Sequence, residues 1–239
     1  FYLILPRELL PGFLKRLQMF VLRSKVSLKD VSDAWLMVGA ARTQWDVAPA
    51  IWQSINDAEG SLIRVPDAGG LQRVLWIGTT AQAEQRWADW SAQLPTVAAS
   101  VWRWSEIIAG LPQVVEATRE QFVPQMINFE LLGGVNFKKG CYPGQEVVAR
   151  SQYLGKTKRR TLLAFTNDLT ASAGTEVFSS TDPEQPCGML VNAEQGPDGR
   201  MACLVELKLE ARSTRVHLRS ITGPQLEFGE LPYPLNADA

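Results

Sequence analysis

The chain has one histidine, three cysteines and no long apolar run, and each shortage removes a class of function. His217 lies in a strand-like stretch, TRVHLRS, so any Ser-His-Asp or Cys-His arrangement would have to converge on this one imidazole, and no partner motif stands near it. A structural role is its reading. Cys141, Cys187 and Cys203 are odd in number and widely spaced, which argues against a disulfide framework, a zinc site or a resident iron-sulfur cluster. No metal ligands are predicted. The longest stretch without a charge, Trp90 to Trp102, holds 13 residues including Pro95, well below the ~20 apolar residues of a spanning helix. Pro6, Arg7 and Glu8 interrupt the apolar opening FYLIL before it could form a secretory core, so no membrane segment is expected and the cytoplasm is the expected location. A formal charge of -1 excludes a uniformly basic nucleic-acid binder and confines any such role to a local patch.

What is present divides near residue 158. The first part alternates strand-like and helix-like segments. FYLIL is followed by an apolar-periodic run from Glu8 to Leu22, then by KVSLKDV and AWLMVGA as adjacent strands. A second cycle holds a helical pattern from Trp45 to Ile55, the strands SLIRV and LQRVLWIG, and a helix from Thr80 to Gln93. This recurrence predicts α+β structure with a ferredoxin-like layer. All eight tryptophans lie at or before Trp104, whereas five short strands follow Thr161: TLLAF, TEVFS, CGMLVNA, MACLVELKL and TRVHLRS. Gly174, Gly188, Gly196, Gly199 and Gly223 punctuate them, which predicts a small antiparallel barrel. The expected domains are therefore 1-157 and 158-239. Phe1 falls inside a strand-like stretch without an initiator Met, which reads as a chain lacking a preceding segment.

Between the two parts runs NFELLGGVNFKKGCYPGQEVVARSQYLGKTKRR. Gly140, Pro143 and Gly144 mark a tight turn and QEVVARSQYL has helical spacing, so Cys141 is expected just before a helix N-terminus, where unpaired N–H groups favour an anion. Lys138 and Lys139 flank it, and such surroundings favour a thiolate. From Lys138 to Arg160 seven basic residues face Glu146 alone, a concentration suited to a polyanion such as a phosphate backbone or a folate glutamate tail. The bland alternatives are a small buried cysteine and a solvated charged face. Cys187 and Cys203, in barrel strands, are expected to fill core space.

Lys139-Gly140-Cys141-Tyr142-Pro143-Gly144-Gln145-Glu146, continued to Arg150, resembles the K-G-C-[FY]-x-G-Q-E-x-x-x-R signature of the YgfZ family, and IIAGLP, FVPQMINFELLGGVNF and LPYPL extend the likeness over most of the chain. The resemblance implies a ring-like fold shared with the T-protein aminomethyltransferases of the glycine cleavage system, a channel for tetrahydrofolate, a C-terminal barrel, and a further ferredoxin-like segment preceding Phe1. It implies a folate-binding factor supporting iron-sulfur cluster assembly or repair and thereby tRNA modification. Cys141 is its candidate functional thiol, and Trp102, Glu106, Lys139, Tyr142, Gln145, Glu146 and Arg150 are its candidate folate contacts. Trp102 has core packing as its alternative. The catalytic Asp of T-protein would fall near Leu10 to Gly12, where none stands, and the Glu of its E-A-G motif aligns with Ile108 unless Glu106 substitutes. Both departures weigh against aminomethyl transfer, so a tetrahydrofolate-dependent one-carbon transferase is the second reading and a non-enzymatic factor the first. Iron-sulfur client enzymes, such as tRNA-modifying enzymes, are the implied partners. A third reading has Lys156, Lys158, Arg159 and Arg160 touching tRNA directly.

Overall fold

The structure, a computed structural model, describes residues 1-46, 49-56, 58-140, 145-153 and 158-235. The chain forms two compact units, Phe1–Trp102 and Arg103–Ala239, both mixing helix with antiparallel sheet, so the α+β class holds.

The first unit opens with α1 (Leu10–Gln18) and continues into a four-stranded sheet of β1 (Trp35–Arg42), β2 (Ser54–Asn56), β3 (Ser61–Ala68) and β4 (Leu71–Thr79), in the order β1-β4-β3-β2. Gly69 and Gly70 make the two-residue β3–β4 turn, both at positive φ, which is the twist-matched hairpin geometry that glycine adopts without strain. One face of the sheet places Val38 and Trp76 against Ala83 of α2 (Thr80–Ser91). At the start of α2, the backbone N–H of Thr79 donates to Gln82 Oε1 at 3.0 Å, half of a capping box.

Three expected elements of this unit are absent among its described residues, the first being FYLIL, which is irregular chain rather than a strand. KVSLKDV is not a strand but exposed irregular chain, where Asp30 Oδ1 accepts from the backbone N–H of Ser32 at 2.9 Å and bends the backbone locally. The pattern from Trp45 to Ile55 is not a helix among its described residues. Trp52 has a positive φ of 66°, and its N–H donates to Arg64 O at 2.8 Å while Arg64 N–H returns to Gln53 O at 3.0 Å. Pairing with β3 thus overrides the helical spacing and leads directly into β2.

Helix α3 (Ala99–Ile108) begins in the first unit and ends in the second, where Gly110 turns into the left-handed region and Leu111 N–H reaches back to Glu106 O at 2.9 Å. A 3-10 turn, Pro124–Ile127, leads through a loop to α4 (Gln145–Tyr153). Six strands follow: β5 (Arg159–Thr166), β6 (Glu176–Ser179), β7 (Asp182–Gln195), β8 (Met201–Lys208), β9 (Val216–Leu218) and β10 (Glu227–Phe228), ordered β10-β5-β8-β7-β6-β9 and antiparallel throughout. All five expected strands are present. Strand β5 starts at Arg159, and the compact unit that holds it begins at Arg103.

The sheet curls around Leu162, Ala164, Val177, Leu190, Cys203, Val205, Leu207 and Leu218. Its far edge is hydrogen-bonded to the approach to the near edge, with Leu218 N–H to Pro224 O and Leu226 N–H to Val216 O, both 2.8 Å. Leu163, Val191, Ala202 and Leu204 face the other way and meet Ile107 and Ile127. Strands β5 and β8 are therefore covered on both faces, which is why MACLVELK reads as an apolar run rather than an alternation. His217 holds a turn, its Nδ1 lying 2.8 Å from Gly223 O.

Gly188 of β7 has no room for a side chain, because a Cβ there would run into the Glu206 carbonyl and Leu207. Gly188→Ala is expected to lower stability by about 1–3 kcal/mol, the usual cost of overpacking, in denaturant unfolding. Gly12→Ala, where the Cβ meets open space, is expected to cost nothing.

Candidate functional site

The motif helix α4 begins at Gln145, four residues after Cys141 in the chain, as the sequence predicts. Cys141, Tyr142 and Lys156 themselves lie outside the described residues. Glu146 sits in the first turn and Arg150 in the last, an i,i+4 pair whose charges also complement the helix dipole. Gln145 is half-buried, while Glu146 and Arg150 are exposed. Lys138 and Lys139 are exposed on the approach, where Asn136 Oδ1 accepts from the Lys138 N–H at 2.8 Å.

Beneath this surface is a polar interior that the sequence analysis missed. Arg160 and Glu130 form an ion pair with side chains only 3% and 6% exposed, and Arg160 also donates to Gln125 O at 2.9 Å. Gln125, fully buried, donates from Nε2 to Val148 O of α4 at 2.7 Å. Asn128, also fully buried and left-handed at φ 60°, donates to Thr161 O at 2.8 Å and approaches the Tyr233 hydroxyl at 3.4 Å. That hydroxyl donates to Gly110 O at 2.7 Å, and burial pushes its pKa up. Among the described residues, Gln125 Oε1, Asn128 Oδ1 and Glu130 Oε2 are buried acceptors without a hydrogen-bond partner. The available signal was the insertion of Gln125, Asn128 and Glu130 into the otherwise apolar FVPQMINFELL.

These contacts correct the expected cationic strip. Arg160 is interior, and Arg159 grips buried Glu206 through Nε and Nη2 at 2.5 and 2.8 Å, a hydrogen-bonded pairing that raises its pKa. Both guanidiniums are engaged with buried carboxylates, Arg160 fully inside and Arg159 still 29% exposed. Lys158 is exposed.

Trp102 and Glu106 come from α3. The Trp102 ring lies over Gly39, where a Cβ would approach to 2.6 Å, and the Arg73 guanidinium is centred 4.3 Å from it. Trp104 instead joins the apolar cluster of the second unit. Glu106 lines a cavity of about 190 Å3 with Ile107, Leu111 and Asn192, bordered by the Arg103–Glu194 ion pair at 2.6 Å. Asn192 is fixed there by exchanging two 2.8 Å hydrogen bonds with the Gln113 backbone. Burial raises the thiol pKa of Cys187 and pushes that of Cys203 up to about 12, so both stay protonated inside the barrel. No group of three His, Cys, Asp or Glu is placed to hold a metal ion among the described residues, and no helix among them is long and apolar enough to cross a membrane.

Two measurements check this arrangement. Arg160→Ala leaves Glu130 as an unpaired buried charge and is expected to cost about 3–5 kcal/mol in urea unfolding, whereas Lys158→Ala is expected to stay within about 0.5 kcal/mol. Iodoacetamide at pH 8 is expected to leave Cys187 and Cys203 unmodified in the native chain and to label both after denaturation, as read by peptide mass.

No family model matches the chain. It is similar to curated proteins named tRNA-modifying protein YgfZ. The one from Vibrio atlanticus is 27% identical over 253 residues, covering 99% of this chain and 73% of the relative. The one from Colwellia psychrerythraea is 34% identical over 170 residues, covering 66% of this chain and 50% of the relative. The one from Photorhabdus laumondii is 30% identical over 242 residues, 97% of this chain and 73% of the relative, and on that likeness together with the motif that opens α4 the chain belongs to the YgfZ family.

Proposed function

We propose that the chain is a cytoplasmic folate-binding factor that supports iron-sulfur cluster assembly or repair and, through iron-sulfur client enzymes, tRNA modification. The observation that carries this reading is the Lys139–Arg150 motif, placed on the approach to and along α4, in a chain whose relatives are named tRNA-modifying proteins. A T-protein-like ring of ferredoxin-like layers, with the barrel at one side, is the architecture this reading carries with it.

The residues present fit parts of a tetrahydrofolate. Exposed Lys138, Lys139 and Arg150 suit the carboxylates of a glutamate tail. Glu106 suits the N–H edge of a pterin, and its cavity of about 190 Å3 admits that edge rather than the whole molecule, since pockets that engulf drug-sized ligands run to about 300–1,000 Å3. Bound tetrahydrofolate supplies a carrier for one-carbon units. The chain's own groups bind and orient it, while Cys141, next to two lysines in sequence, is the thiol offered to a client.

Calorimetric titration of the full chain with tetrahydrofolate is expected to show saturable binding. Glu106→Ala and Arg150→Ala are each expected to weaken it about tenfold, the worth of one charged hydrogen bond. A flat titration of the unmodified chain overturns the reading.

A further inference from the structure

We infer that Gln125 is a positioning residue for the motif helix, coupling the placement of Gln145, Glu146 and Arg150 to the barrel. Gln125 sits in the 3-10 turn Pro124–Ile127, outside the motif and 20 residues before α4 begins. Its side chain is fully buried, yet its amide is spent on a main-chain carbonyl of another element, Val148 O at 2.7 Å. The acceptor there is a carbonyl, so the group facing it must be the NH2, and the orientation of the amide is fixed.

The anchoring end is equally constrained. Gln125 O accepts from Arg160 of β5 at 2.9 Å, and Arg160 is held by Glu130. Ile127 is in the apolar cluster under the sheet, and Asn128 closes the turn by bonding to Thr161 O of β5. Strand β5 thus fixes the turn on three sides, and the turn extends one rigid donor to the middle of α4. A buried side chain with these attachments sets where the helix lies along the sheet. Glu146 and Arg150 lie on the exposed face of α4.

The helix consequence stands alone, and the ligand consequence rests on the folate-binding role proposed above. Gln125→Met keeps the volume and removes the donor; Gln125→Glu keeps the shape and sets a carboxylate against the Val148 carbonyl. Hydrogen exchange of the full chain, read by mass spectrometry, is expected to quicken about tenfold in 145-153 in both variants, the size of one buried hydrogen bond, with 159-166 and 201-208 unchanged. In Gln125→Met, tetrahydrofolate affinity is expected to fall about tenfold while the unfolding midpoint moves little, a separation that a merely structural residue would not give. Unchanged exchange in 145-153 overturns the inference, and so does a uniform rise across α4, β5 and β8 or failure of both variants to fold. If the unmodified chain binds no tetrahydrofolate, the functional reading falls while the exchange comparison still decides the role of Gln125.

Discussion

The second unit depends on a buried ion pair. Taking Arg160 and Glu130 out of water costs each of them several kcal/mol, and their attraction offsets that cost only if the geometry is good and the remaining polar atoms are engaged. Arg160 also holds the Gln125 carbonyl, which ties strand β5 to the Pro124–Ile127 turn, while Glu130 Oε2 stays unpaired. Neighbouring bonds from Asn128 to Thr161 and from Thr161 Oγ1 to Met126 O at 3.0 Å extend the same seam. A polar seam of this kind defines one register between turn and strand, where an apolar contact of equal area would admit several.

The motif helix is attached to this seam through the bond from Gln125 to Val148 O. Helix α4 is short and has a modest apolar face, so its own propensity holds it weakly, and it takes its position from a neighbour. The Tyr233 hydroxyl works at the other end of the seam, bridging Asn128 to the left-handed cap of α3, where a side chain on Gly110 would collide with the tyrosine ring at 2.6 Å. The C-terminal segment is therefore a strap: Leu231 joins the cluster under the sheet and Leu235 reaches the barrel core. Two elements that carry candidate ligand residues, α3 and α4, are thus set by the same few buried polar groups.

The strands of the second unit were legible because short apolar segments at regular spacing with glycine punctuation are local signals, and all five expected segments are strands. The short β10 was not legible, since two residues, Glu227 and Phe228, carry no period. In the first unit the strands SLIRV and LQRVLWIG were legible and became β3 and β4, but Trp45–Ile55 misled, because apolar spacing cannot show that Trp52 and Gln53 bond to Arg64 across the sheet. Of the candidate site, the position of α4 and its charged residues followed from the motif. The roles of Arg159 and Arg160 did not: a run of cations looks like one surface, yet successive strand residues point to opposite faces, and each arginine found its own buried carboxylate.

Sequence alone determined the α+β class, the antiparallel strands of the second unit, the helix that begins at Gln145 and the family membership that the motif signals, because each depends on residues close together in the chain. Tertiary structure alone decided which polar residues are interior. Gln125, Asn128, Glu130, Arg160 and Tyr233 are separated by up to 108 positions, and although the first three interrupt an apolar stretch, nothing local pairs them with Arg160 or Tyr233. Their burial is affordable only when all of them meet, and that meeting is a property of the folded chain.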